Sequence, residues 1–287
     1  MSSPLRIGIA VHRYRSEVSG VVRRVADWAA AHGAILVASP ADAEVIGDAD
    51  VAVSDIKECD VVVSIGGDGT MLRAVSGLQG RDVPLIGLNL GSLGYLADVE
   101  SENLIDALDR WVAGPVKGRW NFDDRMMVEA VLDIGGESVV VRALNEIAVE
   151  REEAGHMVRL QVAIDGAVFT TYAADGLIVA TPTGSTAYSM SARGPILSPR
   201  LRALLVTPVS PHMLFDRSMV LDPSEEVEVT VLGHRSVAVS LDGLATHTLP
   251  PGGVIRFRAA TAVARFVRFA DVRFHQILKD KFHLNDR

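Results

Sequence analysis

The pattern of apolar and polar positions changes character part-way along the chain. In the first part, residues 5–11 (LRIGIAV), 34–38, 61–65 and 84–88 are runs too short for helices and apolar almost throughout. That is the signature of parallel strands buried on both faces. Between them, Val21, Val22, Val25, Trp28 and Ala29 recur at helical spacing over 18–31, as do Met71, Leu72, Val75 and Leu78, and another helix is expected near 103–112. Gly33 falls where a helix stops. Strand–helix alternation of this kind predicts an open α/β domain with a mostly parallel sheet, whose ligands bind beyond the carboxyl ends of the strands.

Beyond the breakers Gly114, Pro115 and Gly118 the pattern shifts to short alternating segments. Residues 126–132, 138–143, 158–164, 167–172, 226–231, 237–241 and 254–258 read as strands, with Asp165-Gly166 and Asp242-Gly243 as two-residue turn signals. A mainly antiparallel, β-sandwich-like C-terminal domain follows. A β segment near 263–269 precedes a helix over 274–282, with Phe274, Ile277, Leu278 and Phe282 on one side. This tail has no place in a sandwich and is expected to return to the first domain. The expected domains are therefore 1–118, 119–270 and a tail at 271–287.

Composition narrows the classes. A chain of 287 residues, 48% hydrophobic, can bury a sizeable core in one large or two medium domains. A formal charge of -8 speaks against a broad nucleic-acid footprint, which needs Lys and Arg on phosphates, but leaves room for a small anion held by a local cluster. The longest uncharged span, 176–192, is filled with Thr and Ser rather than aliphatics, and the N-terminus lacks a signal-peptide pattern, so neither a membrane span nor export is expected. One cysteine, Cys59, excludes an internal disulfide and reads as a buried thiol in a reducing, cytoplasmic compartment.

Chemistry concentrates in three stretches. In 60–75 (DVVVSIGGDGTMLRAV) a buried strand ends in Gly66-Gly67-Asp68-Gly69-Thr70 and feeds a helix. With almost no side-chain bulk, such a turn lets backbone N–H groups and the helix N-terminus approach an anion, and Arg73, one turn in, would add a cation. The same residues also make an ordinary tight turn. The loop 89–96 (NLGSLGYL) ends a neighbouring strand and could line the same crevice. Neither a GxGxxG nor a GxxxxGK[ST] pattern is present.

The second stretch is Asn145-Glu146, able to hold sugar hydroxyls or an amide, or simply to form a solvated turn. The third, 175–191 (DGLIVATPTGSTAYSMS), has more hydroxyls than a core segment would carry. Its backbone amides and hydroxyls suit an adenine or phosphate edge and Tyr188 could stack on a ring, the alternative being a helix N-cap with incidental hydroxyls. His156 reads as a surface or core histidine from spacing alone. No HExxH, zinc-type Cys/His set or GxSxG elbow occurs, so no metal ligands are assigned.

Taken together these residues resemble the bacterial NAD kinase family over nearly the whole chain. GGDGT is shared with lipid kinases, whereas 181–189 (TPTGSTAYS) separates the NAD kinases from them. The resemblance implies transfer of the terminal phosphoryl group of ATP, or of polyphosphate, to the 2′-hydroxyl of the adenosine ribose of NAD, giving NADP, with Mg²⁺ or another divalent cation accompanying the donor. It implies Asp68 as general base, with Gly67, Gly69 and Arg73 at the phosphates and Tyr95 in the adjoining loop. Asn145 and Glu146 would hold the dinucleotide, Asp175, Thr186, Ala187, Tyr188, Ser189, Met190 and Ser191 would shape its pocket, and His156 aligns with a substrate-contacting position. A homodimer or homotetramer is implied as well. Three positions depart from the family pattern: Tyr95 stands in place of Phe, Leu244 stands where Gln is common, and the loop 12–16 lacks the usual small polar residues. A lipid kinase would need an apolar acceptor site and a dehydrogenase the Rossmann fingerprint; a non-catalytic NADP sensor would keep the pocket without turnover.

Overall fold

The structure, a computed structural model, describes residues 3–47, 50–91, 94–153, 155–270 and 273–284. It divides into two compact units, residues 1–124 with 264–287, and residues 125–263. The first division lies a few residues beyond the breakers at 114–118, which form a short helix, Gly114–Gly118, rather than a linker, and the second falls inside a strand, at 263/264. The two β segments expected at 254–258 and 263–269 are one strand, Val254–Arg268, whose small residues Ala259, Ala260 and Ala262 weaken the pattern without interrupting the backbone.

The first unit is built on a parallel sheet. Arg6–Val11 is flanked by Ile35–Ala38 on one side and Val61–Gly66 on the other, with Ala52–Val53 outside the former and Leu85–Asn89 outside the latter. The chain thus winds to one edge and then reverses, placing a switch point between Arg6–Val11 and Val61–Gly66. In such sheets the loops leaving the two diverging strands splay apart and open a crevice at their carboxyl ends. Every residue of Val61–Gly66 is buried, as both-face coverage requires. Ile7, Ile9, Val63, Ile65 and Leu88 pack with Val22 and Val25 of the helix Val18–His32 and with Leu104 and Leu108 of the helix Leu104–Val112. Each such side chain contributes about 1.5–3 kcal/mol on burial. A helix over Pro40–Ile46 starts with Ser39 capping Asp42 and a proline in the first turn. The tail belongs to this unit: Phe266 pairs with Leu85 in parallel, and the helix Phe274–Lys281 sets Phe274 beside Tyr95, their rings 6.2 Å apart.

The second unit is a two-layer β structure. One layer carries the antiparallel strands Ala167–Ala174, Val158–Ile164, Val227–Leu232 and the first part of Val254–Arg268. The other runs Met219–Leu221, Leu204–Val209, Gly176–Ala180, Glu146–Arg151, Val237–Leu241 and Leu244–Leu249, antiparallel throughout. Leu160, Val229 and Ile255 of the first layer meet Val149, Leu177, Val206 and Val239 of the second in one core. The two-residue turns are as the sequence indicates, with Asp165, Gly166, Asp242 and Gly243 all at positive φ. On the outer face of the second layer, Ala148, Ile178, Ala180 and Leu205 are covered by Tyr188, Ala192 and Leu197, which is what fixes the hydroxyl-rich segment in place.

Candidate active site

In the first unit the switch point opens into a cavity of about 410 Å³. His12, Arg13, Tyr14 and Arg15 reach it from the end of Arg6–Val11, Gly66, Gly67, Asp68, Gly69 and Thr70 from the turn after Val61–Gly66, and Asn89, Gly91 and Gly94 from the next loop; Arg73 and Lys281 complete it. Ser92 and Leu93 of that loop lie outside the described residues. Asp68 opens the helix Asp68–Leu78 and, among the described residues, is the one acid lining the cavity, against four cations, Arg13, Arg15, Arg73 and Lys281. A chain with net charge -8 has therefore concentrated positive charge at one helix N-terminus, an end whose dipole favours an anion.

Asp68 does not float in this cavity. Its Oδ2 accepts the Tyr95 backbone N–H at 2.8 Å and its Oδ1 the Leu96 N–H at 3.0 Å. Each oxygen keeps a further lone pair. Gly94 permits the arrangement, because a Cβ there would lie 2.2 Å from Asp68 Oδ1. The same loop is tied to the tail: the Lys281 ammonium sits 4.7 Å from the centre of the Tyr95 ring, a cation–π contact. Arg15 donates to the Leu90 carbonyl, holding the two loops together. Arg73 lines the cavity, yet its guanidinium is also spoken for, pairing with the buried Asp42 at 3.0 Å and donating to the Val11 carbonyl. It braces the end of the first strand as well as adding charge.

In the second unit Asn145 and Glu146 stand at the start of Glu146–Arg151, not in a solvated turn. The carboxylate of Asp242 accepts the N–H groups of Leu144, Asn145 and Glu146 at 3.0, 2.7 and 3.2 Å. The Asn145 carbonyl accepts the Thr181 N–H at 2.8 Å, and Thr181 Oγ1 donates to the Leu144 carbonyl at 2.6 Å. Gly184 must be glycine here, since a Cβ would stand 2.0 Å from the Asn145 oxygen. Glu146 is 4% exposed and, among the described residues, its Oε2 has no hydrogen-bond partner. Burial, then the neighbouring Asp242, push its carboxyl up to about 7; the Tyr188 backbone N–H pulls the other way and Glu150 adds to the rise.

The hydroxyl-rich segment is more core-like than its composition suggests. Thr181, Thr183, Ser185 and Ser189 are buried, with Ser185 Oγ donating to the Pro182 carbonyl at 2.7 Å and Ser189 Oγ 3.0 Å from Thr207 Oγ1. Thr186, Ala187, Tyr188 and Met190 are half-buried and Ser191 is exposed. Tyr188 donates its hydroxyl to Glu150, which with burial raises its own ionisation well above the ordinary tyrosine value. Asp175 pairs with Arg151 at 3.1 Å. Thus Asn145, Glu146 and Tyr188 gather in one corner. His156 is exposed and faces Arg235 at 3.4 Å, outside that corner's hydrogen bonds. Leu244 is 61% exposed.

Arg13, Arg15, Lys281 and Asp242 were not singled out by sequence reading. The two arginines follow directly on a strand at the switch point, a signal available once the strand order is known. Asp242 had none, because a turn accounted for it and its partners lie 96 to 98 positions away. Among the described residues no group of three His, Cys, Asp or Glu gathers to hold a metal ion, and no helix is long and apolar enough to cross a membrane. Cys59 is buried and its thiol is pushed up to about 11 by burial, an inert position.

Family profiles match both parts: the ATP-NAD kinase N-terminal domain over residues 7–116 and the ATP-NAD kinase C-terminal domain over 144–269. The NAD kinase of Heliobacterium modesticaldum is 36% identical over 279 residues, covering 96% of this chain and 97% of that one. Among solved structures, an NAD kinase from Archaeoglobus fulgidus in complex with ATP superposes with TM-score 0.75 at 25% identity, covering 98% of this chain and all of that one. Yeast NADH kinase complexed with NADH shares the fold, with TM-score 0.87 at 24% identity over 99% of this chain and 89% of its own. With both profiles matched and near-full-length relatives above 30% identity, the chain belongs to the NAD kinase family.

Proposed function

We propose that this protein transfers the terminal phosphoryl group of ATP, as its magnesium complex, to the 2′-hydroxyl of the adenosine ribose of NAD, giving NADP. The observation that carries the assignment is Asp68: a lone carboxylate fixed by the Tyr95 and Leu96 amides at the mouth of a cation-lined cavity. A ribose hydroxyl is a very poor acid, so a carboxylate assists by taking its proton as the bond to phosphorus forms. Two amides fix the direction in which its remaining lone pairs point. Arg13, Arg15 and Lys281, with the helix N-terminus, would offset charge on the donor phosphates and the leaving diphosphate.

The magnesium ion would enter with the donor, held by its phosphates and by waters, and would neutralise part of their charge, leaving Asp68 to take the proton. Recognition of NAD falls to Asn145 and Glu146, with Tyr188 beside them and Asp175, Thr186, Ala187, Ser189, Met190 and Ser191 around them; the unpartnered Glu146 oxygen is suited to a ribose hydroxyl. Gly67 and Gly69 would admit the phosphates, Arg73 would add charge beside them while bracing the first strand's end, Tyr95 holds Asp68 through its backbone N–H, and His156 remains a peripheral candidate. The same reading takes the enzyme to be a cytoplasmic homodimer or homotetramer. Purified protein incubated with NAD, ATP and magnesium should form NADP, scored by an NADP-specific dehydrogenase; no product would reject the assignment.

A further inference from the structure

Leu96, whose N–H donates to Asp68 Oδ1 at 3.0 Å, is held from its other side as well. Its carbonyl accepts a hydrogen bond at 2.7 Å from Nη1 of Arg268, the last residue of the strand Val254–Arg268. The same nitrogen stands 3.2 Å from Asp98 Oδ1, and Nε of Arg268 donates to Asp123 Oδ2 at 3.1 Å. Only 11% of the Arg268 side chain is exposed, and its guanidinium lies 5.3 Å from the centre of the Phe266 ring. Three oxygens and a ring thus fix the direction of the fork. It grips the segment 96–98 at the Leu96 carbonyl and the Asp98 carboxylate, directly beyond the two amides that grip Asp68. Leu96 and Ala97 are buried, so the segment has little slack to absorb a shift at either end. Arg268 does not line the phosphate cavity, and nothing in the reaction as described above uses it.

We propose that Arg268 is a positioning residue for the phosphoryl transfer, acting through the segment 96–98 to set where the Asp68 carboxylate stands when the ribose hydroxyl arrives. The role rests on the reading of Asp68 as the base of an NAD kinase. Backbone amides orient a carboxylate only as firmly as they are themselves held, and here one guanidinium does the holding. Without it the Leu96 carbonyl loses its donor and the nearly buried Asp98 loses its cation, so the segment would relax. A misplacement of about 1 Å can lower a rate about a hundredfold, so the loss would appear in the chemical step. The cations that line the cavity stay in place, and substrate binding should be spared. Arg265, three positions earlier on the same strand, supplies a control: it pairs with Asp124 and Asp82, each at 2.8 Å, away from the segment 96–98.

The test measures kcat, and KM for NAD and for MgATP, in Arg268→Met, Arg268→Lys and Arg265→Met, and repeats Arg268→Met in the Asp68→Asn background. Arg268→Met should lower kcat about tenfold or more, with both KM values within about twofold of wild type. Arg268→Lys keeps the charge but not the fork and should fall between the two. Arg265→Met should keep kcat within about twofold. Once the base is gone its position no longer matters, so in Asp68→Asn the Arg268→Met change should lower kcat less than about threefold further. Should Arg268→Met fail to fold, Asp98→Asn combined with it removes the stranded carboxylate and is measured in its place. A folded Arg268→Met enzyme with wild-type kcat, an equal loss in Arg265→Met, or the full loss repeated in the Asp68→Asn background would overturn the inference. No NADP from the wild type would instead overturn the NAD kinase reading itself, and this role with it.

Discussion

Asp68 and Glu146 both stand at a strand end, one opening a helix and the other a strand, and their surroundings are opposite. Asp68 is half-buried, each of its oxygens takes a backbone amide, and the other charges around its cavity are positive. Glu146 is buried, one oxygen has no partner among the described residues, and burial, with the carboxylates Asp242 and Glu150, pushes its carboxyl up to about 7. On the function proposed above, the first carboxylate would serve the reaction, and the second would take from a bound ligand the hydrogen bond it lacks. Environment, more than residue type, assigns the roles.

Perturbing each side separately should break the comparison cleanly. The largest effect is expected for Asp68→Asn, which keeps one acceptor oxygen, turns an NH2 toward a backbone N–H and removes the proposed base; kcat for NADP formation should fall at least about a hundredfold. Gly94→Ala acts on the same group from outside. Its new methyl would displace Asp68 Oδ1 from 2.2 Å away, so we expect a loss of about tenfold to a hundredfold in kcat with both substrates still bound. Wild-type turnover in Gly94→Ala would show that the position of the carboxylate is not critical.

Glu146→Gln should give the smallest rate effect and a distinctive pH signature. The folded-state value near 7 lies above the ordinary 4.5, so between these pH values the folded chain holds a proton the unfolded chain has released. Stability from this group is full below about 4.5, declines as pH rises to about 7, and is level above it. Glutamine removes that decline. The variant should be more stable than wild type by about 1–3 kcal/mol at pH 8 and little changed at pH 5, while its KM for NAD rises. Denaturant melts at the two pH values check it; an equal stability change at both would contradict the burial argument.

The sequence made the framework readable where local chemistry suffices. A β-branched run ending in Gly66-Gly67 and followed by helical spacing is self-contained, and so are the Asp-Gly hairpin turns. Ser39-Pro40 was an available start signal for the helix Pro40–Ile46, but seven residues with few large apolar side chains gave no period. Glu146–Arg151 was hidden because its ends are charged, and its burial comes from neighbours on both sides, Gly176–Ala180 and Val237–Leu241. Long-range side-chain choices are illegible in principle from one chain. Arg73 reads as a free cation until Asp42 is found beside it, and hydroxyls read as ligand contacts until Thr181 and Ser185 are seen bonding their own backbone.

The most direct test of the account measures two quantities on one preparation of Asp68→Asn: NAD affinity by calorimetry and NADP formation under saturating NAD and MgATP. The account predicts affinity within about twofold of wild type beside turnover reduced at least about a hundredfold. Turnover near the wild-type rate, or a parallel collapse of NAD affinity, would contradict the claim that this carboxylate serves the chemical step.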